Sequence, residues 1–353
     1  MRSYYVGVDV HQASSVIVVL NGAGKVVAQV VLRTRSEDLR SYFKGLEGKV
    51  RVTFEEGTQA NWLYHLLRPL VSEVIVCNPR RNKFLAEGNK GDRIDALKLA
   101  QLLRSGLLQP VYHGELRMRA LKELVRNYHC LVVDTTRVMN RLKAIYRGRG
   151  IGCAGTAVYQ VERREQWLKK LSERGVRQRA EFLYKQLGAL KPLRQEAKLA
   201  MLREARQQGA YKWLLSVPEL GAVRVAQILA VIETPHRFRS KRQFWTYLGL
   251  AVVTRTSAEH EVVKGKLQKR ARPAATRGLN RNFNRLMKKV FKSAACSACV
   301  AGPFQAAYQQ RLAQGMDESL ARLAVARKLA ATTLTVWKRG AGFAPERMSA
   351  PRL

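Results

Sequence analysis

Acidic residues are scarce in this chain. It carries only 26 Asp+Glu against 64 Lys+Arg, a formal net charge of +38 over 353 residues. Self-repulsion of that size is relieved by a polyanion, and nucleic acid is the obvious partner. An anionic membrane would compete for the same charge, but no stretch approaches the roughly 20 apolar residues of a spanning helix, and the basic residues are spread along the whole chain. No membrane partner is expected. Cysteine is sparse too. Cys77, Cys130, Cys153, Cys296 and Cys299 are odd in number and irregular in spacing, which excludes a disulfide framework. Cys296 and Cys299 form one CxxC, yet neither a second pair nor nearby histidines complete a zinc site, so they read as small residues on a helix. The first apolar run, Tyr4 to Val8, is too short for a secretory signal and meets Asp9 at once, so a cytoplasmic location is expected.

What is present reads as three units. Tyr4 to Val10, Ser15 to Leu20 and Lys25 to Leu32 are rich in β-branched residues, with Asn21-Gly22-Ala23-Gly24 as a turn, and predict an antiparallel meander. Ser36 is expected to cap a helix through Leu46. Val50 to Phe54 predicts a fourth strand, Trp62 to Leu67 a helix, and Glu73 to Cys77 a fifth strand stopped by Asn78-Pro79. Three antiparallel strands followed by α-β-α-β is the ribonuclease-H-like order, expected over residues 1–112. Residues 113–208 are almost purely helical in pattern, with Leu121, Leu124, Val125, Val132, Val133, Leu142 and Ile145 among arginines. The Gly148-Arg149-Gly150-Ile151-Gly152 break predicts a helical hairpin or arm. A mainly α third unit over 209–342 and a loose tail over 343–353 complete the division. Within the third unit Pro218-Glu219-Leu220-Gly221 resembles a helix-hairpin-helix turn with Glu219 where such hairpins carry glycine, so phosphate contact and a structural hairpin stand level there. The final helix is expected around Leu320 to Trp337.

Four carboxylates form a candidate metal site. Asp9 ends an otherwise apolar strand, where an ionised carboxylate is costly unless compensated. Glu55 ends the fourth strand in the same way, and in the expected topology that strand lies parallel beside the first; Glu56 is an alternative at this position. Asp92 and Asp95 open a helix with i,i+3 spacing, on one face and at the end where the helix dipole tolerates negative charge. Converging acids repel one another, and hard divalent cations relieve that repulsion while activating oxygen nucleophiles at phosphodiesters. Oxygen ligands favour Mg²⁺, with Mn²⁺ possible, over zinc. His11, a lone histidine at a strand end, reads as a packing residue outside the site.

Val6-Gly7-Val8-Asp9-Val10-His11, Phe54-Glu55-Glu56-Gly57-Thr58 and Lys90-Gly91-Asp92-Arg93-Ile94-Asp95-Ala96 resemble the RuvC-like DEDD domain of the insertion-sequence one-ten family of transposases, relatives of the pilin-gene invertase. Ser216-Val217-Pro218, the run Arg239 to Leu250 and Ser257 resemble the family's second, transposase domain. The resemblance implies that Asp9, Glu55, Asp92 and Asp95 bind Mg²⁺. It also implies that a serine of the second domain, Ser257, attacks the DNA backbone to form a phosphoserine link during strand exchange. It further implies a noncoding bridge RNA pairing with donor and target DNA; holding two DNA partners at once calls for a homodimer or homotetramer, and a nucleoid-associated location is expected.

Lys264 to Lys292 is dense in basic residues interleaved with Phe283 and Phe291, and Thr276 to Arg281 reads as a basic loop entering a helix. Lys264, Lys266, Lys269, Arg270, Arg277, Arg281 and Arg285 are the candidate nucleic-acid contacts. Three functions fit these features: a transposase or recombinase acting through Ser257 and the acids, a hydrolytic nuclease or junction resolvase in which the acids activate water, and a non-catalytic nucleic-acid-binding protein.

Overall fold

The β-branched runs at the start of the chain form a mixed sheet. A computed structural model describes residues 2–79, 91–114, 116–255, 260–263, 266–269 and 275–348. The chain divides into two compact units, Met1–Glu115 and Leu116–Leu353.

In the first unit the elements run β1 (Ser3–Val10), β2 (Ser14–Asn21), β3 (Val26–Arg33), α1 (Ser36–Lys44), β4 (Lys49–Glu55), α2 (Ala60–Leu67), β5 (Glu73–Cys77) and α3 (Asp92–Ser105). The five strands are ordered β3-β2-β1-β4-β5. β1 pairs antiparallel with β2 and parallel with β4, and β4 pairs parallel with β5. Side chains alternate across the sheet, so each strand feeds two layers. Val6, Val8, Val52 and Phe54 pack with Leu39 and Phe43 of α1 and Leu63 and Leu67 of α2. On the opposite face Val16, Val18 and Leu20 meet Ala96 and Ala100 of α3. Ser36 is the first residue of α1 rather than its cap; Arg35 occupies the cap position and provides no side-chain hydrogen bond.

The second unit is mainly helical: α4 (Arg119–Arg147), α5 (Arg164–Lys169), α6 (Arg174–Arg206), α7 (Tyr211–Leu215), α8 (Ala222–Ile232), α9 (Lys241–Tyr247), α10 (Arg285–Ala298), α11 (Gln305–Ala313) and α12 (Glu318–Arg339). The start of α4 and the end of α6 share one core, through Leu121, Val125, Met201 and Leu202. The end of α4 and the start of α6 share another, through Leu142, Tyr146, Leu183 and Tyr184, so the two helices run antiparallel. Their connection is longer than the glycine break implies, spanning residues 148–173. Tyr159, Trp167 and Leu171 from that connection are tucked into the arm's own core.

Two short sheets interrupt the mainly helical second unit. β6 (Val252–Arg255) pairs with β9 (Ala275–Leu279), and β7 (His260–Val263) pairs with β8 (Lys266–Lys269). Thr276 to Leu279 is therefore strand rather than loop, and helix begins only at Arg285. The tail is anchored at its start: the Phe343 N–H donates to Ser216 Oγ at 2.8 Å. No helix among the described residues is long and apolar enough to cross a membrane.

Candidate metal centre

The sheet register brings the acids together. Val8 is paired with Phe54 across the parallel β1–β4 ladder, which leaves Asp9 and Glu55 as the next residues on adjacent strands. Asp92 and Asp95 come from the first turn of α3. That helix lies directly on β1 because position 7 is glycine: a Cβ there would fall 2.0 Å from the Ala96 carbonyl oxygen and 2.6 Å from the Ala100 nitrogen. The close approach carries the start of α3 to the end of β1.

The acids feel one another. Partial burial is the main reason that the Asp9 carboxyl sits above the usual carboxylate range; His11 opposes the shift, while Asp92 and Asp95 reinforce it. Glu55 is raised in the same direction, by burial first and then by Asp9 and Asp95. Asp95 Oδ1 is buried with no hydrogen-bond partner among the described residues. A buried acceptor in that state is costly, and a cation relieves it.

His11, which reads from sequence as a packing residue, lies against two of the acids. Its Nε2 lies 3.2 Å from Asp9 Oδ2 and 3.5 Å from Asp92 Oδ1. Ligand atoms of Asp9, His11 and Asp92 all lie within 4.8 Å of one another, a spacing that suits a metal ion. The backbone of His11 is held in place: its N–H donates to the Ser14 carbonyl at 2.9 Å, and its own carbonyl accepts from Thr34 Oγ1 at 2.9 Å. The Asp-x-His spacing at the end of β1 was the available signal.

Glu56 points to a different partner. Its Oε2 lies 2.9 Å from Nε2 of His113, whose ring stacks on Tyr64 with centroids 4.8 Å apart. Glu55, in contrast, feels the charges of Asp9 and Asp95. The donor set is mostly hard carboxylate oxygen with one imidazole, which fits Mg²⁺ or Mn²⁺ better than a thiophilic ion. Cys299 is buried near the end of α10 and Cys296 is exposed, and neither takes part in a metal-spaced cluster among the described residues.

The other candidate residues lie in the second unit. Ser257, Lys264 and Arg270 fall outside the described residues. Lys266 and Lys269 are on β8 and Arg277 is on β9. Arg281 is exposed in the turn after β9, and Arg285 is exposed as the first residue of α10. The hairpin at Pro218 to Gly221 is formed between α7 and α8, with Glu219 at φ 67°, a conformation that favours glycine.

Comparison with known proteins bears on both units. A transposase family model of the DEDD, IS110 type matches residues 6–148, and the model for the transposase IS116/IS110/IS902 family matches residues 211–289. The transposase for insertion sequence element IS1533 of Leptospira borgpetersenii is 26% identical over 183 residues, covering 48% of this chain and 51% of that protein. The putative transposase y4qE of Sinorhizobium fredii (strain NBRC 101917 / NGR234) is 26% identical over 276 residues, covering 73% of this chain and 65% of that protein. The matches thus span between half and two thirds of the length of these relatives.

Proposed function

The chain belongs to the IS110 family of transposases by both of its matched domains, and from that premise we propose that it is a Mg²⁺-dependent DNA transposase acting through a serine–DNA intermediate. The observation that carries the reading is the convergence of Asp9, Glu55, Asp92 and Asp95, with His11 between two of them, at the end of β1 in a ribonuclease-H-like strand order. These acids would hold Mg²⁺ or Mn²⁺. A divalent cation supplies neutralisation of the cluster and a lowered pKa for an attacking oxygen.

Ser257 is the proposed nucleophile. Its Oγ forms a bond to phosphorus as one P–O bond of the DNA backbone breaks, and the serine proton ends on the departing deoxyribose oxygen. Attack by the hydroxyl of a partner strand reverses the step and frees the serine. Serine needs activation for this, which links Ser257 functionally to the acids, within one protomer or between two. Donor and target DNA are the proposed substrates. A bridge RNA is the proposed guide, base pairing reading sequence while the basic surface holds backbones. Two DNA partners call for a dimer or tetramer.

A second reading, a hydrolytic nuclease, draws on the same geometry, because all four acids assemble within Met1–Glu115 without help from the second unit. A supercoiled plasmid carrying the DNA that flanks the coding region, incubated with RNA transcribed from that flank, tests the proposal. Strand cleavage that requires Mg²⁺ and disappears in Asp9→Asn is expected. Cleavage that survives chelation or the Asp9→Asn change would overturn the metal-site reading.

A further inference from the structure

Helices α4, α6, α8 and α10 of the second unit surround a cavity of about 580 Å³. Its walls are of two kinds. Lys198, Arg224 and Lys289 bring three cationic side chains to it, while Tyr128, Leu202 and Val290 line it with apolar surface. Residues Gly221 to Arg224, the first turn of α8, also face the cavity, and the cap residue Gly221 has no side chain to receive the free N–H groups of that turn. An uncapped helix start of this kind attracts an anion. Arg224 is steadied there by donating to the Glu219 carbonyl at 2.7 Å.

Gln227, one turn further along α8, lines the same cavity and is only 9% exposed. Its side-chain amide makes no hydrogen bond among the described residues. The polar atoms of this amide open onto the cavity, where they can pair with a partner that enters from outside. A simple inorganic anion would use the cations and the helix start but leave the amide and the apolar wall without a role. A nucleotide uses all of them. Its phosphate suits the cationic helix start, its base offers a flat apolar face to Tyr128, and the base edge carries the alternating donors and acceptors that a glutamine amide matches. The cavity has room for one nucleotide and is too small for a duplex.

We propose that this cavity receives a single unstacked nucleotide of a bound nucleic-acid strand, with phosphate at the start of α8 and base against Tyr128 and Gln227. The proposal rests on nucleic acid being the partner, as argued above, but not on the metal centre or Ser257. Extrusion of a base from its stack is most favourable where the strand is already unpaired.

The test uses the full chain and short single-stranded RNA and DNA oligonucleotides, each with one photoreactive thio-substituted pyrimidine, alongside a duplex of the same sequence. Gln227→Leu removes the amide, and Lys289→Ala removes an exposed cation without touching the core. Each variant is expected to weaken single-strand binding on the order of tenfold while duplex binding changes by less than about twofold. Cross-links are expected within the segments 128–132 and 221–227, and the stronger of the RNA and DNA arms identifies the source of the nucleotide. Single-strand affinity unchanged in Lys289→Ala, or an equal loss for single strand and duplex, would overturn the proposal even if Gln227→Leu fails to fold. Failure of the metal-site reading is distinguishable, because it appears as metal-independent cleavage with these affinities intact.

Discussion

Gly7 on β1 lies directly beneath Ala96 on α3: a Cβ at position 7 would fall 2.0 Å from the Ala96 carbonyl oxygen. The acceptor is backbone, so no side chain can swing aside to make room. Asp92 and Asp95 open the same helix whose packing Gly7 permits, and Asp9 lies two residues along the same strand. Gly7→Ala must therefore lift α3 from the sheet and separate the acids it carries. A loss of about 1–3 kcal/mol in stability is expected from overpacking, together with weaker Mn²⁺ binding. Chemical denaturation and calorimetric metal titration check the two effects.

The raised carboxyls of Asp9 and Glu55 make stability depend on pH in a particular direction. Groups that hold protons more tightly in the folded state favour folding in acid, and that contribution is lost as pH rises through their folded values. Without metal, the cluster is thus a cost at neutral pH. Asp9→Asn is expected to raise the melting temperature of chelator-treated protein at pH 7 and to leave it nearly unchanged in acid, below the ordinary carboxylate range. Added Mg²⁺ should stabilise the unsubstituted protein at pH 7 and give little stabilisation in acid, since the ion binds the ionised acids.

Glu55 and Glu56 are neighbours with different partners, and substitution separates them. Glu55→Gln is expected to abolish or greatly weaken Mn²⁺ binding, because it removes a carboxylate from the field shared by Asp9 and Asp95. Glu56→Gln disturbs the contact with His113 and is expected to leave metal affinity within about threefold of the unsubstituted protein, a range typical of surface electrostatic changes. Calorimetric titration of both variants with Mn²⁺ decides between these roles.

An ion pair between a partly exposed lysine and a buried carboxylate supports the base of the arm. Lys122 Nζ on α4 lies 2.7 Å from Oε1 of Glu233, whose side chain is 4% exposed, at the end of α8. Removing only the cation strands a carboxylate in the interior, so Lys122→Met is expected to cost about 3–5 kcal/mol in stability. The double change Lys122→Met with Glu233→Gln should recover part of that loss. Urea denaturation of the single and double variants measures the coupling.

Much of the first unit was legible because its strands are runs of Val, Ile and Leu broken by Asn21-Gly22 and Asn78-Pro79, and strand order then placed Asp9 beside Glu55. His11 was not, since one histidine at a strand end looks the same whether it packs or faces two acids. Its geometry depends on Thr34 and Ser14 in other segments. β9 was misread for a related reason. Thr276-Arg277-Gly278 is polar and local pattern favours a loop, but pairing with β6, distant in sequence, makes it a strand. The connection between α4 and α6 hid behind Gly148 to Gly152, because the burial of Trp167 and Tyr159 depends on helices on either side of it. Phe343 likewise gave no local sign that Ser216, far upstream, would hold the start of the tail.

Covalent capture tests the central claim most directly. The full chain is incubated with Mg²⁺, the flanking DNA and RNA transcribed from the same flank, then quenched in denaturant and digested for mass spectrometry. A DNA adduct on the peptide that contains Ser257, absent in Ser257→Ala and in Asp9→Asn, is the expected result. Metal-dependent nicking that persists in Ser257→Ala with no adduct formed would contradict it and leave the acids as a hydrolytic site.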